Sequence, residues 1–306
     1  MAASSGHRVG IILALAAAAF FGVSHSVVVL AYRGGSNPLS VSATRFILPI
    51  VVLMAFLAFK RRKILMPRRQ GAWAMVLGLM TAIYTLALLL SLDFLPAGIA
   101  ILVFYLFPIF TGIIVAIMGW TPFDRKTSIA ALVALLGLGL ALGLRLDDYN
   151  STGLALAVVA ALGLSVVSAF SARVIAASDP LRVTVYMSIG ALVCLAVTVS
   201  AMDEFRLPTT ESGWVGFILS HVFFAIAVIA YFVAIDKVGP SISATLSNLQ
   251  PLIVIAIAFL ILEQSLAPLQ LVGAIIVVGA LIAAGRKGPK VRQSMSAVPP
   301  EGDETG

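Results

Sequence analysis

Ten long apolar runs divide the chain: about 9–31, 37–59, 71–91, 96–119, 127–144, 153–175, 182–201, 213–235, 239–262 and 268–285. A helix crossing the hydrocarbon core of a bilayer needs roughly 20 apolar residues. The runs are too long and too evenly apolar for the strands of an outer-membrane barrel, which alternate with period two. They read as transmembrane helices, because in lipid each backbone polar group must be satisfied within the segment itself. The breaks carry turn and charge signals, such as Arg33-Gly34-Gly35-Ser36-Asn37-Pro38, Lys60-Arg61-Arg62-Lys63 and Ser178-Asp179-Pro180. Composition agrees: 61% of residues are hydrophobic and 11% charged, against roughly 45–50% and about 25% in soluble domains. A soluble domain, a disordered chain and a small disulfide scaffold are set aside on these figures. The first run is read as a retained span, since its apolar core exceeds the roughly 7–15 residues of a signal peptide.

The formal charge of +7 invites a nucleic-acid reading, but a basic footprint needs a hydrated face that these runs do not offer. With the N-terminus in the cytoplasm, 16 of the 20 basic residues fall in inside segments. Arg33, Arg145 and Arg206 fall outside, and Arg45 lies within the second run. That is the positive-inside distribution, with both termini cytoplasmic in the cell (inner) membrane. The charges orient the chain and call for no nucleic acid. Cys194 is the one cysteine, so no internal disulfide is expected, and no His/Cys spacing suggests zinc. No metal or other cofactor is expected.

The two halves resemble each other. Asn37-Pro38-Leu39 recurs as Asp179-Pro180-Leu181 at a shift of 142, and Gly22 and Ser24 recur as Gly163 and Ser165 at 141. Pro108 recurs as Pro251 at 143, and Gly137 as Gly279 at 142. The offset equals five spans, an odd number, so the second half must enter the membrane in the opposite sense. The expected fold is an all-α polytopic membrane protein: ten helices as two inverted five-helix repeats. Its parts are a cytoplasmic N-terminus (1–8), a first repeat (9–145), a linker (146–152), a second repeat (153–285) and a disordered cytoplasmic tail (286–306). Inverted repeats of this kind characterise secondary transporters.

Asn37-Pro38…Arg45-Phe46 in the second run, Leu106-Phe107-Pro108-Ile109-Phe110 in the fourth and Asn248-Leu249-Gln250-Pro251-Leu252…Leu262-Glu263 in the ninth resemble the drug/metabolite transporter superfamily, and within it the EamA family. The resemblance spans about residues 10–285. It implies two five-span repeats and movement of small polar metabolites, most often amino acids, with vitamins and amines also represented. The family's fourth and ninth spans often end in an acidic pair. Here the ninth keeps Glu263, while the fourth ends Gly119-Trp120 without an acid.

Few residues inside the runs can carry chemistry. Arg45 either meets a substrate carboxylate and lines a vestibule, or ties carbonyls between packed helices; an intramembrane charge of this kind faces protein or water. His25, with Ser24 beside it, and His221 either bind solute or carry a proton, or are satisfied packing residues. Trp214, Phe217, His221 and Phe224 form one stripe at helical spacing. In the ninth run Ser241, Thr245 and Asn248 make one polar line and Ser243, Ser247 and Gln250 another, so one line is expected to face a cavity. Pro108 and Pro251 are expected to hinge their helices and to free the carbonyls of Phe104 and Ser247, beside Tyr105, Asn248 and Gln250. Tyr84, Ser165 and Ser168 are lesser cavity candidates. No Asp or Glu lies deep in any run.

The expected function is secondary transport of a small metabolite by alternating access, an amino acid or related amphipathic solute, with export favoured. The alternative is an uptake carrier for a vitamin or other metabolite such as riboflavin or S-adenosylmethionine. A membrane-embedded enzyme or a non-transporting subunit would be a different class. The expected partners are the solute and the lipid bilayer.

Overall fold

The computed structural model describes residues 2–95, 97–120, 125–141, 150–262 and 268–285. Glu263, residues 146–149 of the expected linker and the tail 286–306 lie outside the described residues. The helices run α1 (Ala2–Arg33), α2 (Pro38–Thr44), α3 (Ile47–Phe59), α4 (Arg68–Ser91), α5 (Ala97–Phe104), α6 (Phe107–Ile117) and α7 (Arg125–Ala141). They continue as α8 (Ser151–Ala176), α9 (Pro180–Met202), α10 (Glu211–Val238), α11 (Pro240–Leu246), α12 (Gln250–Leu262) and α13 (Pro268–Gly285), with a 3-10 turn, Ser247–Leu249, between α11 and α12.

Among the described residues, eight spans are long and apolar enough to cross a membrane. They are α1, α2 with α3, α4, α5 with α6, α8, α9, α10, and α11 with the start of α12, and they coincide with the first four and the sixth to ninth apolar runs. The fifth run is α7, of 17 residues. The tenth is α13, apolar over Pro268–Ala283 but shorter than the other spans. The fold is thus an all-α polytopic membrane fold, with eight of the ten expected crossings met by length.

Capping residues start these helices where the sequence breaks. Asn37 accepts from Ser40 N–H at 2.7 Å ahead of Pro38. Asp179 accepts from Leu181 N–H at 2.8 Å ahead of Pro180. The side-chain oxygen satisfies an orphan donor, and proline at the first helical position loses nothing because its N–H would have no partner there.

The packing is inside-out relative to a soluble protein. Alanines such as Ala14, Ala17, Ala74, Ala134, Ala160 and Ala191 are buried, while Ile12, Val51, Leu136, Val197 and Ile275 are exposed. In lipid, large apolar side chains gain nothing by leaving the tails, and small residues let backbones approach. α1 lies along α10, α4 along α8 and α9, and α7 along α13. The α4–α9 contact needs glycine on both sides: a Cβ on Gly190 would sit 2.5 Å from the Met75 carbonyl, and one on Gly78 would strike the Met187 carbonyl.

Two clasps fasten the bundle, one at each end. At one end the α1–α2 loop meets the α9–α10 loop. Asn37 Nδ2 donates to the Glu204 carbonyl at 2.8 Å and to its carboxylate at 3.1 Å. Ser36 Oγ donates to the Arg206 carbonyl, Ser40 Oγ accepts from Arg206 N–H, and Thr209 N–H donates to the Gly34 carbonyl at 2.7 Å. At the other end the α3–α4 loop meets the start of α9. Arg62 pairs with Asp179 at 3.2 Å, and Met66 N–H donates to the Tyr186 hydroxyl at 3.3 Å.

Candidate substrate site

Three helical spans break in mid-course, each just ahead of a proline. α5 ends at Phe104, ahead of Pro108, and α11 ends at Leu246, ahead of Pro251. A third break separates α2 from α3 at Arg45-Phe46, four residues before Pro49. Pro49 has no N–H to offer the Arg45 carbonyl. The last helical bond of α2 runs from Arg45 N–H to the Val41 carbonyl at 3.0 Å. One expectation is corrected: the Ser247 carbonyl is not free, because the 3-10 turn lets Gln250 N–H reach it.

Arg45 sits at the second-run break, and its guanidinium carbon stands 4.7 Å from the Phe224 ring centroid and 5.7 Å from that of Phe46. Its Nε is buried without a hydrogen-bond partner. The salt bridges among the described residues are Arg62–Asp179 and Arg206–Glu204, so Arg45 joins neither. A charge in mid-bilayer costs at least roughly 2.5–3.5 kcal/mol. Ring faces return about 0.5–2 kcal/mol of it.

A cavity of about 20 Å³ lies against this group, lined by Ser24, His25, Val28, Tyr32, Val41, Arg45 and Ser220. That holds about one water, far below the roughly 300–1,000 Å³ of a small-molecule pocket. Tyr32 and Tyr84 lie within electrostatic reach of the Arg45 charge.

The two intramembrane histidines differ in what they leave free. His221 is buried; its Nδ1 lies 2.6 Å from the Phe217 carbonyl and its Nε2 2.9 Å from Thr44 Oγ1. Both ring nitrogens are engaged, and the ring ties α10 to α2. His25 is exposed and lines the cavity, with Nδ1 2.7 Å from the Phe21 carbonyl. A carbonyl only accepts, so Nδ1 carries the hydrogen. Gln250 Nε2, placed 3.1 Å from the same nitrogen, cannot then donate to it; turning the amide over sets its oxygen there and removes the conflict. Nε2 of the neutral ring keeps an open lone pair.

The remaining candidates fall in two groups. Ser24 lines the cavity, but its hydroxyl donates to the Ser220 carbonyl at 2.8 Å. Tyr84 is half-buried, its ring 6.2 Å from Phe104. Tyr105, Ser165, Thr245 and Asn248 lie away from the cavity wall. Tyr105 is buried against Phe104 and Phe107. Ser165 Oγ bonds the Phe107 carbonyl at 3.0 Å and the Ala161 carbonyl at 2.6 Å. Thr245 bonds the Ser241 carbonyl at 2.9 Å. Asn248 is fully buried, and neither atom of its amide has a partner. Ser168 bonds the Tyr231 hydroxyl at 2.9 Å. The sequence reading missed Tyr32, Val28, Val41 and Ser220. The signal for two of them was present: His25, Val28 and Tyr32 stand at i, i+3 and i+7 on one face of α1.

Among the described residues no three His, Cys, Asp or Glu side chains come together as a metal site. The model of the EamA-like transporter family matches this chain twice, over residues 8–143 and 151–285. The chain belongs to the EamA-like transporter family. It is a multi-pass membrane protein of a transporter family and not an enzyme. A solved crystal structure, described only as that of a protein, superposes with a TM-score of 0.75 over 92% of this chain and 96% of its own, at 19% identity. That likeness speaks for the fold alone. No curated protein matches the chain.

Proposed function

We propose that the protein is a secondary transporter that moves a small metabolite, an amino acid or related amphipathic solute, across the cytoplasmic membrane by alternating access, with export as the favoured direction. The observation that carries this reading is the double match of one family model, at 8–143 and 151–285. Each matched stretch contains a proline-broken helix, α5–α6 and α11–α12. α7 and α13 complete the count of ten. The 17 described residues of α7 span about 26 Å, close to the roughly 30 Å of a hydrocarbon core. An odd number of spans per repeat inverts the second, and the positive-inside distribution puts both termini in the cytoplasm. The clasps fit this reading. Asn37 and Asp179, which match across the repeats, cap equivalent helices and anchor clasps at opposite ends. Opening one clasp and then the other exposes the cavity to each side in turn.

Metabolite profiling of cells with and without the gene tests this and reports direction. The expected result is one class of small solute that rises in the medium, and falls in the cell, when the gene is expressed. Unchanged profiles across a broad panel count against transport.

A further inference from the structure

We propose that Arg45 is the receptor for a carboxylate, so that the solutes moved are monocarboxylates, zwitterions included; this rests on the transporter reading above. Arg45 is a guanidinium in mid-span whose Nε is buried and unpartnered. Its own helix break positions it, and it opens on the cavity shared with His25, Tyr32, Ser24 and Ser220. A guanidinium presents a planar fork of donors whose geometry matches a carboxylate. Everything around it is arranged for a visiting anion. Phe224 meets one face at 4.7 Å, and the Phe21 and Phe46 rings stand edge-on to Phe224 at 5.7 and 5.2 Å. That apolar wall lowers the polarity on one side of the guanidinium, which strengthens a charge pair.

The cavity lining contains no carboxylate, and beside Arg45 its one other basic group is the neutral imidazole of His25. A cationic amine without a carboxylate would find one acceptor, the His25 Nε2, but no anion to offset the repelling charge of Arg45. A dianion such as phosphate would keep a net negative charge beside a single guanidinium. One carboxylate balances it. The open Nε2 of His25 stands in the same wall and accepts a hydrogen bond from a donor on the solute, such as an ammonium. His221 offers no such contact, since both its nitrogens are engaged within the protein.

The test compares solutes that differ in one group, on the full-length protein in nanodiscs. Acetate, phenylacetate and phenylalanine are set against acetamide, phenylacetamide and phenylalaninamide, with thermal unfolding as the readout. At least one carboxylate is expected to raise the unfolding temperature of the wild type dose-dependently, with an apparent affinity at least about tenfold above that of its amide. Arg45→Gln is expected to abolish the shift, and Arg45→Lys to retain part of it. The inference is overturned if amides stabilise as well as acids, if Arg45→Gln responds as the wild type does, or if no carboxylate stabilises the wild type. The amide comparison needs no variant, so a misfolded Arg45→Gln does not spoil it. Carboxylate binding without movement of any solute in vesicles would contradict the transporter reading and leave the Arg45 assignment standing.

Discussion

At the scale of single residues, His25 and His221 make the sharpest contrast. Both are imidazoles within apolar helices, and the sequence offers nothing to separate them. Only the fold shows that one ring is engaged at both nitrogens and the other at one. Their substitutions should therefore fail differently. His221→Ala removes the side-chain tie between α10 and α2, while Thr44 keeps the Ser40 carbonyl and the Phe217 carbonyl keeps the Ser220 hydroxyl; the expected loss is about 1 kcal/mol of stability, within the range for hydrogen bonds between membrane helices, read as a lower unfolding temperature. His25→Ala frees the Phe21 carbonyl beside a cavity and should leave stability nearly unchanged, while slowing transport at least about fivefold. The reverse pattern would exchange their roles. Arg45 was legible as the one firmly charged residue inside a run. Its setting was not, because neither its ring partner Phe224, nearly 180 residues away, nor its place at a helix break follows from local pattern.

At the scale of elements, the proline rule was readable. Pro108 and Pro251 stand just past breaks in their helices, as does Pro49, which follows the break at Arg45-Phe46 and has no counterpart across the repeat. Helix faces were harder to read. In water the buried face is the apolar one, whereas here lipid and neighbouring helices are both apolar, so periodicity in hydrophobicity fades. Residue size carries the signal instead, as the Gly78–Gly190 contact of α4 with α9 shows. Gly190→Ala should cost about 1–3 kcal/mol through overpacking against the Met75 carbonyl, measured by thermal unfolding in detergent. The two clasps differ in kind. One joins Asn37, Ser36, Ser40 and Thr209 to backbone across two loops; the other rests on an ion pair whose Arg62 side chain is 59% exposed. An exposed ion pair contributes about 0.2–1 kcal/mol. Losing Asn37 removes a helix cap worth about 0.5–2 kcal/mol as well as the bridge to Glu204. Single cysteines near the cavity, labelled from either side, should respond more to Asn37→Ala than to Arg62→Ala. Equal labelling would show that the clasps do not govern access.

At the scale of the whole molecule, composition and span spacing led to an all-helical membrane fold, and the motifs around Pro38, Pro108 and Pro251 carried the resemblance to its family. The offset of about 142 residues corresponds to the interval between the two matched stretches. The tenth run, 268–285, coincides with α13, Pro268–Gly285, and the fifth, 127–144, overlaps α7, described over Arg125–Ala141. If ten helices cross, fluorescent tags at the N-terminus and at residue 306 should both be reached from the cytoplasmic side only; tags on opposite sides would require an odd number of crossings. The central claim is that this chain carries solute between two compartments through a site closed by turns to each. Counterflow in sealed proteoliposomes tests it most directly. Vesicles preloaded with unlabelled solute from a panel of small metabolites should accumulate the same solute, labelled, without ATP, and Arg45→Gln vesicles should not. Wild-type vesicles that accumulate no solute of the panel beyond protein-free ones would contradict it.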